Sequence, residues 1–285
     1  MQHFETQWKS VDGIDIFAQG WEPDTSEPKA VVCLVHGLGE HTSRYAHVAE
    51  AFVKSGYVLF GADMRGHGRS GGKRGHIPSL DAILVDIDML FEQAALRYPK
   101  VPMILYGHSL GGIRVLHYSL KRRPDVKGVI ATSSGLRTAL ENQPAKILFA
   151  KILGPVFPKV LLHNGLDVNA ISRDQRVIDA YNNDPLVHDF ASLGFGTIML
   201  GAAKWALQHA SEFSLPLLLL HGASDAIAFP SGSKDFAEAL KLKGKCTLVL
   251  FEGAYHELHN EPEKEKVFKT MIDWMDARLK DSETA

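Results

Sequence analysis

The chain has 285 residues, 45% of them hydrophobic and 22% charged, with 31 Lys+Arg against 33 Asp+Glu and a formal net charge of -2. This composition is that of a globular protein and excludes a disordered chain, a collagen-like repeat and a coiled coil. The balanced charge supplies no global pull toward nucleic acid, so no polynucleotide partner is expected, and the length suits a single α/β domain carrying an insertion.

The first ten residues, MQHFETQWKS, lack the basic end and apolar run of a secretory signal. No apolar run approaches the roughly 18 residues of a membrane-spanning helix. The expectation is a cytoplasmic protein, with peripheral contact at membranes as an option. Two alternating stretches, residues 4–9 and 14–21, flank Asp12-Gly13, which predicts an antiparallel hairpin. Apolar and amphipathic segments then alternate: 30–35, 44–54 and 57–62, the βα rhythm of a parallel sheet. A helix starting at Ser79 buries Ile83, Leu84, Ile87, Leu90, Phe91 and Ala94, places its acids on the opposite side, and stops before Pro99.

Near-continuous apolar runs at 103–106, 126–131, 215–220 and 246–251 read as buried parallel strands, making about eight in all. Cys33 and Cys246 lie inside such runs, without close Cys or His at metal-ligand spacing, and read as buried free thiols. The rhythm fails between about Gly135 and Phe213, where Gly, Pro, Asn and Lys interrupt short apolar pieces. The expected organisation is a core of residues 1–134 and 214–285 with an inserted cap at 135–213.

Gly107-His108-Ser109-Leu110-Gly111 is a GxSxG pattern between an apolar strand and a plausible helix. A serine on that sharp turn stands at the carboxyl edge of the sheet, with the helix N-terminus directing partial positive charge at it. Its hydroxyl needs a base, and the base needs a group that fixes its tautomer. Fourteen histidines are available, so position must choose. In this architecture the acid and the histidine follow the serine at the carboxyl ends of later strands. That selects Asp225 after residues 217–220 and His256 after residues 248–251. His259 is the rival base, and Asp63, read as a loop anchor, the rival acid. Backbone N–H groups of Leu110 and of Leu38, in the His36-Gly37-Leu38-Gly39 turn, are the expected oxyanion donors. The His36 side chain reads as structural. Arg65, Arg69, Lys73 and Arg74 read as a solvated basic loop, without the GK[ST] ending of a phosphate loop.

HGLGEHTSRY from His36, DMRGHGRSGG from Asp63, GHSLGG from Gly107, GASD ending at Asp225 and GAYHELHNE from Gly253 resemble the monoacylglycerol lipase family of α/β-hydrolases. Ser172-Arg173-Asp174 and residues 181–186, YNNDPL, resemble that family's cap signature. The resemblance implies a mostly parallel eight-stranded sheet flanked by helices, with an inserted cap. It also implies a serine ester hydrolase cutting monoacylglycerols, with Ser109, Asp225 and His256 as its triad, no metal and no organic cofactor. Leu110 stands where many members have Met, and residues 226–230, AIAFP, lack the charged residue many relatives carry there.

In the cap, Ile152, Leu153 and Val156 are candidate substrate contacts within an apolar stretch running from Ile147 to Leu162. That stretch suits core packing, an acyl tunnel, or transient contact with a membrane or micelle. The expected partner is a small lipid ester. Lysophospholipid hydrolysis and broad short-chain carboxylesterase activity are alternatives, as are other serine α/β-hydrolase chemistries and a catalytically silent binding module.

Overall fold

The computed structural model describes residues 1–24, 27–240 and 243–281. The chain opens with β1 (Gln2–Lys9) and β2 (Asp15–Glu22), paired antiparallel from Gln2↔Glu22 to Lys9↔Asp15. It reverses over residues 11–13, where the Ser10 N–H bonds Ile14 O at 2.8 Å and Gly13 takes φ 81°. Glycine reaches that left-handed geometry without a Cβ clash.

The alternating part follows as β3 (Val31–Val35), α1 (Ala46–Lys54), β4 (Val58–Ala62), α2 (Leu80–Arg97), β5 (Met103–His108), α3 (Leu110–Arg122) and β6 (Gly128–Thr132). After β6 come α4 (Pro144–Leu153), β7 (Leu161–His163), α5 (Gln175–Asn183), β8 (Phe190–Ser192) and α6 (Leu193–Gln208). The chain then returns to β9 (Leu217–Gly222), α7 (Pro230–Ala239), β10 (Cys246–Phe251) and α8 (Lys264–Asp281). Eight strands form one sheet in the order β1-β2-β4-β3-β5-β6-β9-β10. Within this sheet, among the described residues, only the β1–β2 and β2–β4 pairings are antiparallel.

Strand alternation explains why β3 is apolar throughout. Val31, Cys33 and Val35 face a core built with α2, α3 and α6, while Val32 and Leu34 face a second core built with α1 and α8. The α2 helix starts as expected, the Ser79 hydroxyl accepting from the Ala82 N–H at 3.1 Å, and ends at Arg97.

Some expectations need correction. The segment predicted as a helix from Arg44 begins as a single 3₁₀ turn, Thr42–Tyr45, before α1. The acid face of α2 is not wholly solvated, because Asp86 is buried and paired with Arg65 at 2.5 Å. Arg65 is itself only 1% exposed and also reaches Asp12, so it does not belong to a solvated loop. The β10 strand lies at the sheet edge and is half-buried along most of its length, so Cys246 is half-buried rather than buried. Both cysteines are free.

Within residues 135–213 the pieces pack differently. No residue of α4 is buried, whereas α6 sends Phe195, Met199, Ala202, Ala203 and Ala206 into the cluster shared with α2 and α3. The β7–β8 ribbon pairs Leu161 with Ser192, and α5 rests Ile178 and Tyr181 on Ile171. The returning arm is stitched to the loops above the sheet: His188 N–H to Gly39 O at 2.9 Å, and Ser192 N–H to Gly75 O at 2.7 Å.

Candidate active site

Ser109 lies between β5 and α3 with φ 54° and ψ -113°, a strained conformation for a residue bearing a Cβ. The turn is held because the Ser109 N–H donates to Thr132 O at 2.9 Å and its carbonyl accepts from the Gly135 N–H at 3.2 Å. Only glycine fits at Gly111, where an added Cβ would sit 1.9 Å from Val35 O. The sequence therefore pushes the hydroxyl out of the strand line.

Asp225 and His256 reach the same edge because β9 and β10 are neighbouring parallel strands, Leu220 opposite Val249. Their following loops are tied by the Ser224 N–H to Ala254 O at 3.0 Å. The structure brings the three sequence candidates together: His256 Nε2 is 2.8 Å from Ser109 Oγ, and His256 Nδ1 is 2.7 Å from Asp225 Oδ2. With Nδ1–H donating to the carboxylate, the Nε2 lone pair faces the serine hydroxyl.

Burial alone would depress the His256 pKa, but the Asp225 charge and hydrogen bond, helped by Glu257 and Glu40, outweigh it and raise it above the usual value. Burial likewise opposes ionisation of Asp225. The charge of His256 and the hydrogen bonds of His221 and His256 prevail and hold its carboxyl well below the carboxylate range. His221, itself bonded to Ser233 Oγ at 2.8 Å, approaches Asp225 Oδ2 at 3.2 Å.

The His36 turn faces the serine, since a Cβ added to Gly37 would come 3.4 Å from Ser109 Cβ. Leu38 is half-buried in that turn, and Leu110 is the first residue of α3. His36 is structural as expected: Nδ1–H donates to Gly37 O at 2.8 Å, and Nε2 accepts from the Met64 N–H at 2.9 Å. The rivals stand elsewhere. His259 is stacked on Tyr45 at 4.7 Å, and burial pushes its pKa far down. Asp63 accepts from the Thr42 N–H and the Arg69 N–H, both at 2.8 Å, as a loop anchor does.

Sequence reasoning missed the charged network that joins the two loops. Glu40 Oε1 accepts from the Gly37 N–H at 2.6 Å, and Arg44 reaches Glu40 at 2.9 Å while clamping both oxygens of Glu257, next to His256, at 2.8 Å. Burial raises the Glu40 pKa, whereas for Glu257 the Arg44 guanidinium overcomes burial and holds the carboxylate ionised. The only signal for this was the clustering of Glu40 and Arg44 beside the His36 turn.

The three candidate substrate contacts are not enclosed. Ile152 is 61% exposed and Val156 66%, with Leu153 half-buried between them, which corrects any reading of them as walls of a closed tunnel. Leu148, Phe149 and Phe157 extend the same exposed apolar face. Among the described residues no group of three or more His, Cys, Asp or Glu is arranged to hold a metal ion.

A sheet in this strand order, with helices on both faces and the serine turn after β5, is the architecture of the α/β-hydrolases, and the chain is a serine ester hydrolase of that class. It belongs to the family described as serine aminopeptidase, S33, which matches residues 26–263. A monoacylglycerol lipase of Mycolicibacterium smegmatis is 34% identical over 276 residues, 96% of this chain and 98% of that protein. Human monoglyceride lipase is 31% identical over 280 residues, 97% and 91% of the two chains. An uncharacterized abhydrolase domain-containing protein of Dictyostelium discoideum is 37% identical over 92% of this chain, which spans 28% of that longer protein. The crystal structure of Paleococcus ferrophilus monoacylglycerol lipase superposes with a TM-score of 0.83 at 33% identity, covering 98% of this chain and 100% of that one.

Proposed function

We propose that this chain is a lipid ester hydrolase that releases a fatty acid from monoacylglycerol through an acyl-enzyme. The observation that carries this reading is the hydrogen-bonded series Ser109–His256–Asp225, at 2.8 and 2.7 Å, beside a turn able to offer backbone donors. Ser109 attacks the ester carbonyl while His256 takes its proton; Asp225 orients the imidazole and stabilises its charged form. The N–H groups of Leu38 and Leu110 hold the developing oxyanion. His256 returns the proton to the leaving glycerol, and a water activated by the same histidine then releases the fatty acid. No step calls for a metal or organic cofactor.

Residues 1–134 and 214–285 serve as the hydrolase core and 135–213 as its cap. The exposed face around Ile152 and Val156 gives the cap a transient contact with membrane or micelle surfaces, from which a cytoplasmic enzyme would draw a poorly soluble ester. Among the described residues no helix is long and apolar enough to cross a membrane. The substrate is supported by the monoacylglycerol and monoglyceride lipases among the relatives.

A hydrolysis panel of mono-, di- and triacylglycerols, lysophospholipids and aryl esters tests the reading, with Ser109→Ala as the blank. Monoacylglycerol should be preferred. Triacylglycerol cleaved as readily would replace the reading with a broad esterase, and a preference for lysophospholipid would move it to a lysophospholipase.

A further inference from the structure

Arg114, on α3, is fully buried, yet its Nε, Nη1 and Nη2 atoms have no hydrogen-bond partner among the described residues. A guanidinium offers five N–H donors and no acceptor, and burying such an ion unpaired is among the costlier arrangements a fold can hold.

Among the described residues its surroundings supply no free counter-charge. Asp86 is the carboxylate whose charge reaches it, but Arg65 already holds both Asp86 oxygens, at 2.5 and 2.7 Å. The Phe195 ring stands 5.9 Å from the guanidinium carbon, at the edge of useful cation–π range. The charge also reaches His36 and His67: burial first, then this cation for His36, and burial first, then His36 and after it this cation for His67, keep both imidazoles far below their usual pKa and therefore neutral. His36 has both nitrogens occupied, as described above. His67 donates Nδ1–H to Arg65 O at 3.1 Å, and its buried Nε2 has no partner. Burial lowers Arg114 itself only to about 10, so it keeps its proton at neutral pH.

Unfilled guanidinium donors among an aromatic ring, neutral imidazoles and an already engaged carboxylate have a specific complement. Ordered water would satisfy the N–H groups but leave the charge uncompensated. We propose that Arg114 anchors a buried site for one small monovalent anion of halide size, between α3, α6 and the loop after β4. The site lies near the His36 turn but involves none of the reacting groups.

The test uses the purified full chain, with sodium chloride as the probe and sodium gluconate as the ionic-strength control. A ligand that binds only the folded state stabilises it by mass action, so chloride at about 0.5 M should raise the wild-type Tm roughly 3 °C more than gluconate does. Arg114→Met, similar in length but uncharged, should lose that difference and still hydrolyse ester. Equal wild-type responses to chloride and gluconate would overturn the site, as would an undiminished chloride response in the variant. Should Arg114→Met fail to fold, a bromide-soaked wild-type crystal decides. An anomalous peak within hydrogen-bond reach of the Arg114 guanidinium supports the site, and a crystal without that peak overturns it.

Discussion

His256 donates Nδ1–H to Asp225 across 2.7 Å, and the other oxygen of that carboxylate accepts from the Ile227 and Ala228 N–H groups at 2.9 Å each. An aspartate held on both oxygens cannot swing away, so the imidazole keeps the tautomer that aims Nε2 at Ser109. On that geometry, Ser109→Ala and His256→Ala each lower kcat by about 10⁶, and Asp225→Asn by about 10⁴. Steady-state rates on a soluble ester measure this, with circular dichroism to check folding. A His256→Ala enzyme within about tenfold of wild type, paired with a dead His259→Ala, would exchange the two histidines' roles.

The same pair sets the pH dependence. In the proposed mechanism the neutral form of His256 acts as the base, and its pKa is raised above 6.5, so kcat/KM should fall as pH drops through that raised value. Asp225→Asn removes the largest raising influence while burial still favours the neutral ring, so the acid limb moves to lower pH. For stability the signs are opposite for the two groups. His256 contributes stability that is full below 6.5 and lost as pH rises through its folded value. Asp225 contributes stability present above 3.8 and lost as pH falls through its lower folded value. A limb that stays in place in Asp225→Asn would mean that another group governs it.

Arg44 is the cation shared by Glu40 and Glu257, both buried. Removing it leaves two buried carboxyl groups without their counter-charge, although Glu40 keeps the Gly37 N–H and Tyr45 hydroxyl and Glu257 the Asn260 amide, so Arg44→Met should cost about 3–5 kcal/mol in urea unfolding. Arg44→Lys restores charge but not the bidentate fork and should recover only part of the loss. Because Glu40 holds the Gly37 N–H and Glu257 adjoins His256, both variants should also lower kcat more than they raise KM. A change in KM alone would leave the network with a purely peripheral role.

Cys33 on β3 and Cys246 on β10 are separated by β5, β6 and β9. Four strand spacings amount to roughly 19 Å, far beyond the roughly 7 Å that a disulfide spans. Mass spectrometry of the unreduced protein should therefore recover two free thiols, and a linked peptide would contradict the sheet order itself.

Where one local rule decides, the fold is legible in the sequence. Ser79 caps α2, Gly13 turns the hairpin, and the glycines around Ser109 announce its bend before any coordinates. His256 could be preferred over His259 because it comes first after β10 and the later residue is expected within or near the start of the last helix; the structure puts His259 in a 3₁₀ turn, Leu258–Asn260, ahead of α8. Legibility ends where distant charges meet: Arg44 and Glu257 are 213 positions apart, and nothing local marks either as buried. It ends again at β10, whose apolar string reads like a central strand although no described strand pairs with its outer side, and at α4, whose apolar residues read like packing.

The exposed apolar face around α4 offers the sharpest remaining test. Leu148, Phe149, Ile152, Val156 and Phe157 are each more than half exposed, an arrangement that wastes the hydrophobic effect unless something apolar covers it. A lipid surface or an acyl chain would do so, each covered methylene contributing about 0.8 kcal/mol. A short aryl ester is already dissolved in water and has no long chain to cover that face, so it serves as an internal control. Ile152→Asp and Val156→Asp should therefore leave aryl-ester hydrolysis near wild type while lowering kcat/KM on vesicle-borne long-chain monoacylglycerol about tenfold or more. The ratio of the two rates cancels any loss of folded enzyme. If it stays constant across both variants and a chain-length series, the face takes no part in delivering substrate, and the enzyme meets its ester through bulk water.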